Sequence, residues 1–409
     1  MNINKSVKSK IPASVWAIGV ASFLINVSSS IVFGLSAVYM KTILGVSTGW
    51  IGLLEGLVEG CSYVIKLLSG VFSDFLRRRK VIMLFGFCLA TLARPLLAIS
   101  ATAVAVVTAR LFDRIGNGIQ ATPRDALVGD VAPDDIKGAC YGLRQSLATA
   151  GSFFGGILAV GAMVLTASNF HSVFWIAAVP AFLACVILVI FVKDSQKLVA
   201  EDENPSSPQH KSKYHKIHWR DIPRLGKPYW FLMAVVFVFM LARVSEAMLI
   251  LHAHQNFGLA EKYTPLILII YNGANALASY PVGRLSDSID RRVILQVGFL
   301  VLILADILLG FAPNIWVMLA GVGVWGVQIG MTQSMFMALI ADNVPDDLRG
   351  TGFGFYYLIS AVSLILASTI GGFIAQHFGE GTTFLVSCAI GCVSLLMLMA
   401  MVRKRTHSK

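Results

Sequence analysis

The amino-acid sequence predicts an all-α membrane protein of twelve transmembrane helices, arranged as two pseudo-symmetric six-helix bundles. Three observations carry that prediction. Of 409 residues, 56% are hydrophobic and only 13% charged, with a mean hydropathy of +0.74, whereas soluble domains run nearer one quarter charged. The apolar residues fall in long runs joined by short polar connections. A pattern met in the first half of the chain returns in the second.

The spans follow in order. A bilayer core of about 30 Å takes about 20 apolar residues per helix. The first six runs lie near 14–40, 48–72, 81–99, 102–123, 140–166 and 172–192. The second six lie near 229–254, 263–285, 293–311, 314–340, 351–377 and 381–402. The stretch 81–112 is too long for one span, so it is broken at Ser100–Thr102. The 36 glycines suit helices that pack closely inside a bilayer. The basic start Met1–Pro12 leads into a run too long for a signal peptide, so the first span is expected to remain as an anchor. The expected organisation is a first bundle over 1–192, a linker over 193–228 and a second bundle over 229–409.

The net charge of +11 does not point to nucleic acid, because the basic residues cluster beside apolar runs. The connections after the odd-numbered spans hold only Lys41 and Lys262, while the other connections and both ends hold nearly all the rest. Basic residues kept on one side are the positive-inside pattern. It places both termini in the cytoplasm; the expected setting is the lipid bilayer of a bacterial inner membrane. The linker carries Glu201, Asp202 and Glu203 with His210, His215 and His218, and reads as a solvated segment rather than a metal site. All 6 cysteines fall in or at the ends of apolar runs without a C-x-x-C pair, as packing residues do.

The repeat is specific. Residues 126–142 read ALVGDVAPDDIKGACYG and residues 338–354 read ALIADNVPDDLRGTGFG. Asp130, Pro133, Asp134, Asp135, Gly138 and Gly142 each reappear 212 positions later. The connection after the second span repeats too, with Gly70, Ser73, Asp74 and Arg78 matched by Gly283, Ser286, Asp287 and Arg291.

With these residues the chain resembles the major facilitator superfamily over nearly its whole length. Gly70 to Lys80, GVFSDFLRRRK, is similar to that family's signature loop, with Arg77 where glycine is usual. Arg114, Asn117, Gly118 and Ala121 are similar to a second motif, with Asn117 where glutamine is usual. Gly151–Gly156 matches a third motif associated with antiporters, with Ser152 in place of proline. The resemblance implies alternating access by two rocking bundles about a central site. Spans 1, 4, 7 and 10 would line the cavity, and spans 3, 6, 9 and 12 would face outward.

Ionised groups inside a bilayer need partners or water. The fourth span carries Arg110, Asp113, Arg114 and Asn117 on one helical face, and the second carries Glu55, Glu59, Ser62 and Lys66 on a stripe. Glu59 is placed to reach Arg114. The equivalents of Glu59, Ser62 and Lys66 in the second half are Asn272, Asn275 and Ser279, so a polar stripe recurs without its charge. Proton coupling is therefore expected of Glu55, Glu59, Asp113 and Glu246. Solute binding is expected of Asn26, Arg110, Arg114, Asn117, Arg243, Asn272, Asn275 and Gln328. Arg243 and Glu246 are three apart and able to pair. His252 and His254 diverge on a helix and read as a polar exit rather than metal ligands. Arg94 and Asp306 occupy equivalent positions on outward-facing spans, with Arg94 expected to snorkel to the headgroups and Asp306 without an evident role.

Balanced charges of this kind suit an anionic or zwitterionic small organic solute, since guanidinium matches carboxylate geometry. A carboxylate released from its arginine takes up a proton more readily, which would couple the solute to protons. Asp74 and Arg78, with Asp287 and Arg291, are expected to gate the cytoplasmic side. The resemblance makes them a closing latch between halves. The chain shows no P-loop and no catalytic or metal-binding constellation, and no cofactor is expected. The reading is a non-enzymatic, proton-coupled secondary transporter, with efflux favoured over uptake. An importer of an anionic metabolite or carboxylate-type metal chelate stands beside it, as does a ligand sensor or scaffold that moves nothing.

Overall fold

A computed structural model describes residues 10–76, 79–133, 136–192, 224–286, 289–345 and 348–406. The first bundle comprises α1 (Ala13–Thr42), α2 (Thr48–Leu76), α3 (Arg79–Ala98), α4 (Ala103–Val131), α5 (Lys137–Leu165) and α6 (Phe170–Phe191). The second comprises α7a (Gly226–Leu241), α7b (Glu246–Phe257), α8 (Leu266–Leu285), α9 (Arg291–Gly310), α10 (Ile315–Asn343), α11 (Arg349–Phe378) and α12 (Glu380–Thr406). The expected linker lies outside the described residues except at its end, where α7a has begun.

Helix starts are set by capping side chains, which satisfy backbone N–H groups that have no partner one turn back. Thr102 accepts from Ala105 N at 3.3 Å and Asn169 from Ser172 N at 3.1 Å. Asn314 accepts from both Trp316 N and Val317 N at 3.1 Å. The break between α3 and α4 thus falls where the sequence places it. In contrast, α4 runs through Pro123 to Val131, eight residues past the expected span (131 against 123), because hydropathy reports a bilayer's edge and not a helix's end.

Among the described residues, ten spans are long and apolar enough to cross a membrane, with α7a and α7b counted as one. Only α2 and α4 fall outside, and these are the helices that share most of the intramembrane charge. Outward faces are apolar. On α9, Val293, Val297, Leu300, Leu304 and Ile307 form a helical stripe of exposed side chains. Such a stripe would be a liability in water and is a contact surface in lipid. Within each bundle the packing repeats: α3 lies on α4 and α6, as α9 lies on α10 and α12.

The bundles meet chiefly along α2 and α11. Gly49 N donates to Gln376 Oε1 at 3.1 Å. At Gly52 the backbones approach so closely that a Cβ would lie 2.4 Å from the Ser368 carbonyl oxygen. The seam continues to Tyr63 and Tyr357, whose rings are 6.1 Å apart. Elsewhere, among the described residues, the bundles join at the end away from the termini. There Thr264 Oγ1 donates to the Gly34 carbonyl at 3.2 Å and Gly156 approaches Ile269. Towards the end that holds both termini, α5 and α8 separate.

Candidate functional site

Three ion pairs converge on the middle of α4. Positions 110, 113 and 114 span roughly 100° of helix surface, wide enough to face two neighbours. Arg110 and Arg114 reach α2, where Arg110 Nη1 meets Glu55 Oε1 and Arg114 Nε lies 3.0 Å from Glu59 Oε1. Asp113 instead faces α3 and accepts from Arg94 Nη1. Burial separates the three. Glu55 and Arg110 are 1% and 3% exposed and Arg94 is 1% exposed, while the side chains of Glu59 and Arg114 are 28% and 19% exposed. Phe33 on α1 offers its ring to both Arg110 and Arg114, at 5.1 and 5.3 Å.

Arg94 is a hub rather than a snorkelling side chain. Its Nε donates to Ser28 Oγ at 2.8 Å and its Nη2 to Ser29 Oγ at 2.7 Å, and Ser28 donates to the Ala177 carbonyl at 2.7 Å. The guanidinium therefore ties α3 to α1 and α4, because a buried cation requires several acceptors at once. Asn117 Nδ2 donates to Asp113 Oδ1 at 3.0 Å, and Gln120 Nε2 to Asn117 Oδ1 at 2.6 Å.

Between the bundles lies a cavity of about 390 Å³, lined by Asn26, Tyr63, Arg114, Met240, Arg243, Glu246, Tyr271, Asn275, Ile329, Thr332, Gln333, Phe336 and Tyr356. A smaller recess of about 180 Å³ shares Asn26, Arg114, Glu246 and Tyr271, and adds Ser29, Ser30, Phe33, Ser152, Leu268 and Asn272. In the other direction Asn275 and Gln333 border a cleft of about 620 Å³ between α5 and α8. The cavity thus opens towards the end that holds the termini.

The seventh span contributes two charges because it is not one helix. It stops at Leu241 and restarts at Glu246, with Ser245 Oγ capping α7b by accepting from Ala247 N at 3.3 Å. The continuous span expected over 229–254 is therefore corrected, and so is the pairing of Arg243 with Glu246. Helical three-residue spacing does not apply across the break, and no ion pair within 4 Å joins them. Arg243 stands over the Trp325 ring at 5.7 Å, and its buried Nε has no hydrogen-bond partner. Glu246 accepts from the Tyr271 hydroxyl at 2.9 Å. One cation and one carboxylate therefore face the same space without a contact ion pair between them.

At the end that holds the termini, Arg79 Nη1 meets Asp130 Oδ2, and Arg291 Nη1 lies 2.6 Å from Asp342 Oδ2. These pairs are equivalents at the 212-residue offset, and each lies within one bundle. Arg291 is matched in geometry by Arg79, one position on from the expected Arg78. Arg78 and Asp287 lie outside the described residues, as does the side chain of Asp74.

The comparisons agree with this architecture. The family described as Major Facilitator Superfamily matches residues 18–260 and 231–409. The chain belongs to the major facilitator superfamily. An uncharacterised MFS-type transporter of Methanocaldococcus jannaschii is 28% identical over 393 residues, 94% of each chain. The inner membrane transport protein YajR of Escherichia coli is 22% identical over 394 residues, 94% of this chain and 82% of that one. The crystal structure of a D-xylose–proton symporter superposes with a TM-score of 0.75 at 14% identity, covering 95% of this chain and 97% of that one.

In this superfamily chain, the structure brings Asn26, Arg114, Arg243, Glu246, Asn272 and Asn275 to the cavity, with Glu59 held at its edge through Arg114. Glu55, Arg110, Asp113 and Asn117 sit behind them in packed pairs. Gln328 is fully buried, with Nε2 donating to Thr332 Oγ1 at 2.9 Å. The two histidines are not a cavity exit: His252 Nε2 meets the Leu309 carbonyl at 3.1 Å and His254 Nδ1 the Leu259 carbonyl at 2.8 Å. Sequence reasoning missed Tyr63, Tyr271, Tyr356, Thr332 and Gln333. Tyr63 lies one turn from Glu59 on the same stripe, a signal that could have found it.

Proposed function

We propose that this superfamily transporter carries a small anionic or zwitterionic organic solute by alternating access, coupled to protons. One observation carries the reading: Arg243 faces the cavity with no carboxylate partner, while Glu246 faces it with only a tyrosine hydroxyl. A solute carboxylate or phosphate would supply what Arg243 lacks, in the geometry a guanidinium favours. A solute ammonium, where present, would meet Glu246.

Proton coupling falls to Glu59 and Glu246, the two carboxylates with access to the cavity. As the solute leaves, Arg114 swings from Glu59, which loses its cation and binds a proton; when the Glu59–Arg114 pair reforms, that proton is released and the site takes solute again, so solute and proton exchange. Glu55 and Asp113 are sealed in their pairs and serve to hold α4. The basic connections orient both termini to the cytoplasm of a bacterial inner membrane, so the open cleft faces inward. The fourth-span motif favours efflux.

The test is proton movement in vesicles holding a pH-sensitive dye, challenged with a panel of small carboxylates, zwitterionic amino acids and matched cationic amines. Anions or zwitterions are expected to evoke proton flux that Arg243→Gln and Glu59→Gln abolish, and the sign of the flux gives direction. A response confined to the cationic amines, or one indifferent to both substitutions, refutes the reading.

A further inference from the structure

Asp306 lies in the interior of the second bundle, fully buried on α9, away from the cavity. It faces the point where the seventh span breaks. A helix that stops leaves its last carbonyls without intrahelical donors. Among the described residues no backbone N–H donates to the Ala242 carbonyl, which accepts from Ser387 Oγ on α12. The same hydroxyl lies 2.7 Å from Asp306 Oδ2, and Asp306 Oδ1 has no partner.

A serine hydroxyl carries one hydrogen and two lone pairs. It cannot donate to a carbonyl and to a carboxylate at once. Both contacts are satisfied together only if Ser387 donates to Ala242 and accepts from a carboxylic acid. Electrostatics agree, because a carboxylate would sit buried beside the partially negative C-terminus of α7a with a single hydrogen bond. The ionisable groups around it supply no counter-charge in contact. Arg243 follows Ala242 and turns to the cavity, His252 on α7b bonds the Leu309 carbonyl, and Cys388 and Cys392 on α12 are thiols. The stretch of α10 within the bundle, 315–341, carries no charged residue.

We infer that Asp306 is a protonated positioning residue: its acid hydrogen donates to Ser387, whose own hydrogen donates to the Ala242 carbonyl, and this chain clasps the break in the seventh span and fixes where Arg243 enters the cavity. The first bundle builds the equivalent corner with a cation, Arg94 against Ser28 and Asp113, where the second has Trp325 at the position matching Asp113. The clasp is thus the second bundle's neutral counterpart of an ion pair.

Infrared difference spectra test it on the purified full-length protein in lipid vesicles. At about pH 8, where an ordinary aspartate of pKa about 3.9 is ionised, wild type minus Asp306→Asn is expected to show a carboxylic-acid carbonyl band. Ser387→Ala should shift that band upward as its hydrogen bond is lost, a measurement that serves even if Asp306→Asn fails to fold. Carboxylate bands in place of the acid band overturn the inference. Positioning is read from Trp325, whose ring Arg243 covers, as the emission difference between each variant and the same variant carrying Trp325→Phe. Asp306→Ala and Ser387→Ala should alter that emission and lower the Tm by several degrees, while Asp306→Asn, which can still donate to Ser387, should leave both near wild type. Trp325 emission unmoved by Asp306→Ala, or Asn as damaging as Ala, overturns the positioning role.

Discussion

The three ion pairs at the middle of α4 differ in burial, and that difference predicts two different responses to the same chemical change. Replacing Asp113 by Asn or Glu55 by Gln neutralises the carboxylate of a pair whose arginine is at most 3% exposed. Breaking a buried pair from one side leaves an uncompensated charge and costs about 3–5 kcal/mol. At about 2–4 °C per kcal/mol for a unit the size of one bundle, Tm should fall by roughly 10 °C. Glu59→Gln acts on a pair 19% and 28% exposed beside the cavity. There water takes over the solvation of Arg114, so the loss should be about 1 kcal/mol or less, a shift of no more than a few degrees. The Glu55–Arg110 pair adds a sharper contrast, since Glu55 Oε2 and Arg110 Nη2 are both buried without partners. An incompletely satisfied pair replaced by packed apolar groups is often neutral or better, so Glu55→Leu with Arg110→Met should recover most of the stability that either change alone removes. The assay is thermal unfolding of purified protein followed by tryptophan emission. Equal Tm shifts for Asp113→Asn and Glu59→Gln would mean that all three pairs are equally wet, and the division of α4 into a sealed side and a working side would be wrong.

Three further outcomes are expected. Gly52→Leu cannot be accommodated where a Cβ would already lie 2.4 Å from the Ser368 carbonyl. It should cut disulfide formation between cysteines placed at Gly49 and Gln376 several-fold, and crosslinking at the wild-type level would show that the seam is not closed there. Arg243→Lys keeps the charge but loses the planar fork, so solute-evoked proton flux should fall at least tenfold with Tm changed little; full flux would remove Arg243 from the site. Asp342→Asn breaks an ion pair 39% and 51% exposed, so Tm should move by no more than a few degrees; a drop near 10 °C would mark that pair as a structural support of the second bundle.

Much of this was legible before the structure. The spans and the repeat were readable because hydropathy and a fixed offset report them directly. Glu59 and Arg114 meet as their helical positions indicate. Arg94 was misjudged because counting residues from a helix end says how deep a side chain lies and nothing about which neighbour its face meets. The sequence assigns Arg110 and Asn117 to the cavity because one stripe of α4 reads as one environment, whereas it divides between α2 and α3. The break in the seventh span left only Ser245 before an acidic residue as its mark, in an otherwise uninterrupted apolar run. The tyrosines went unnoticed since an aromatic at helical spacing reads as core whether or not a hollow lies beside it.

The corner that holds Arg94 in one bundle and Asp306 in the other shows that duplication has been followed by specialisation. Either copy, doubled, would lack something: two first copies would have no broken span with its unpaired guanidinium, and two second copies would have no carboxylate–arginine couple beside the cavity. The fused chain is thus an obligate heterodimer in a single polypeptide, and no homodimer of either half would be expected to turn over.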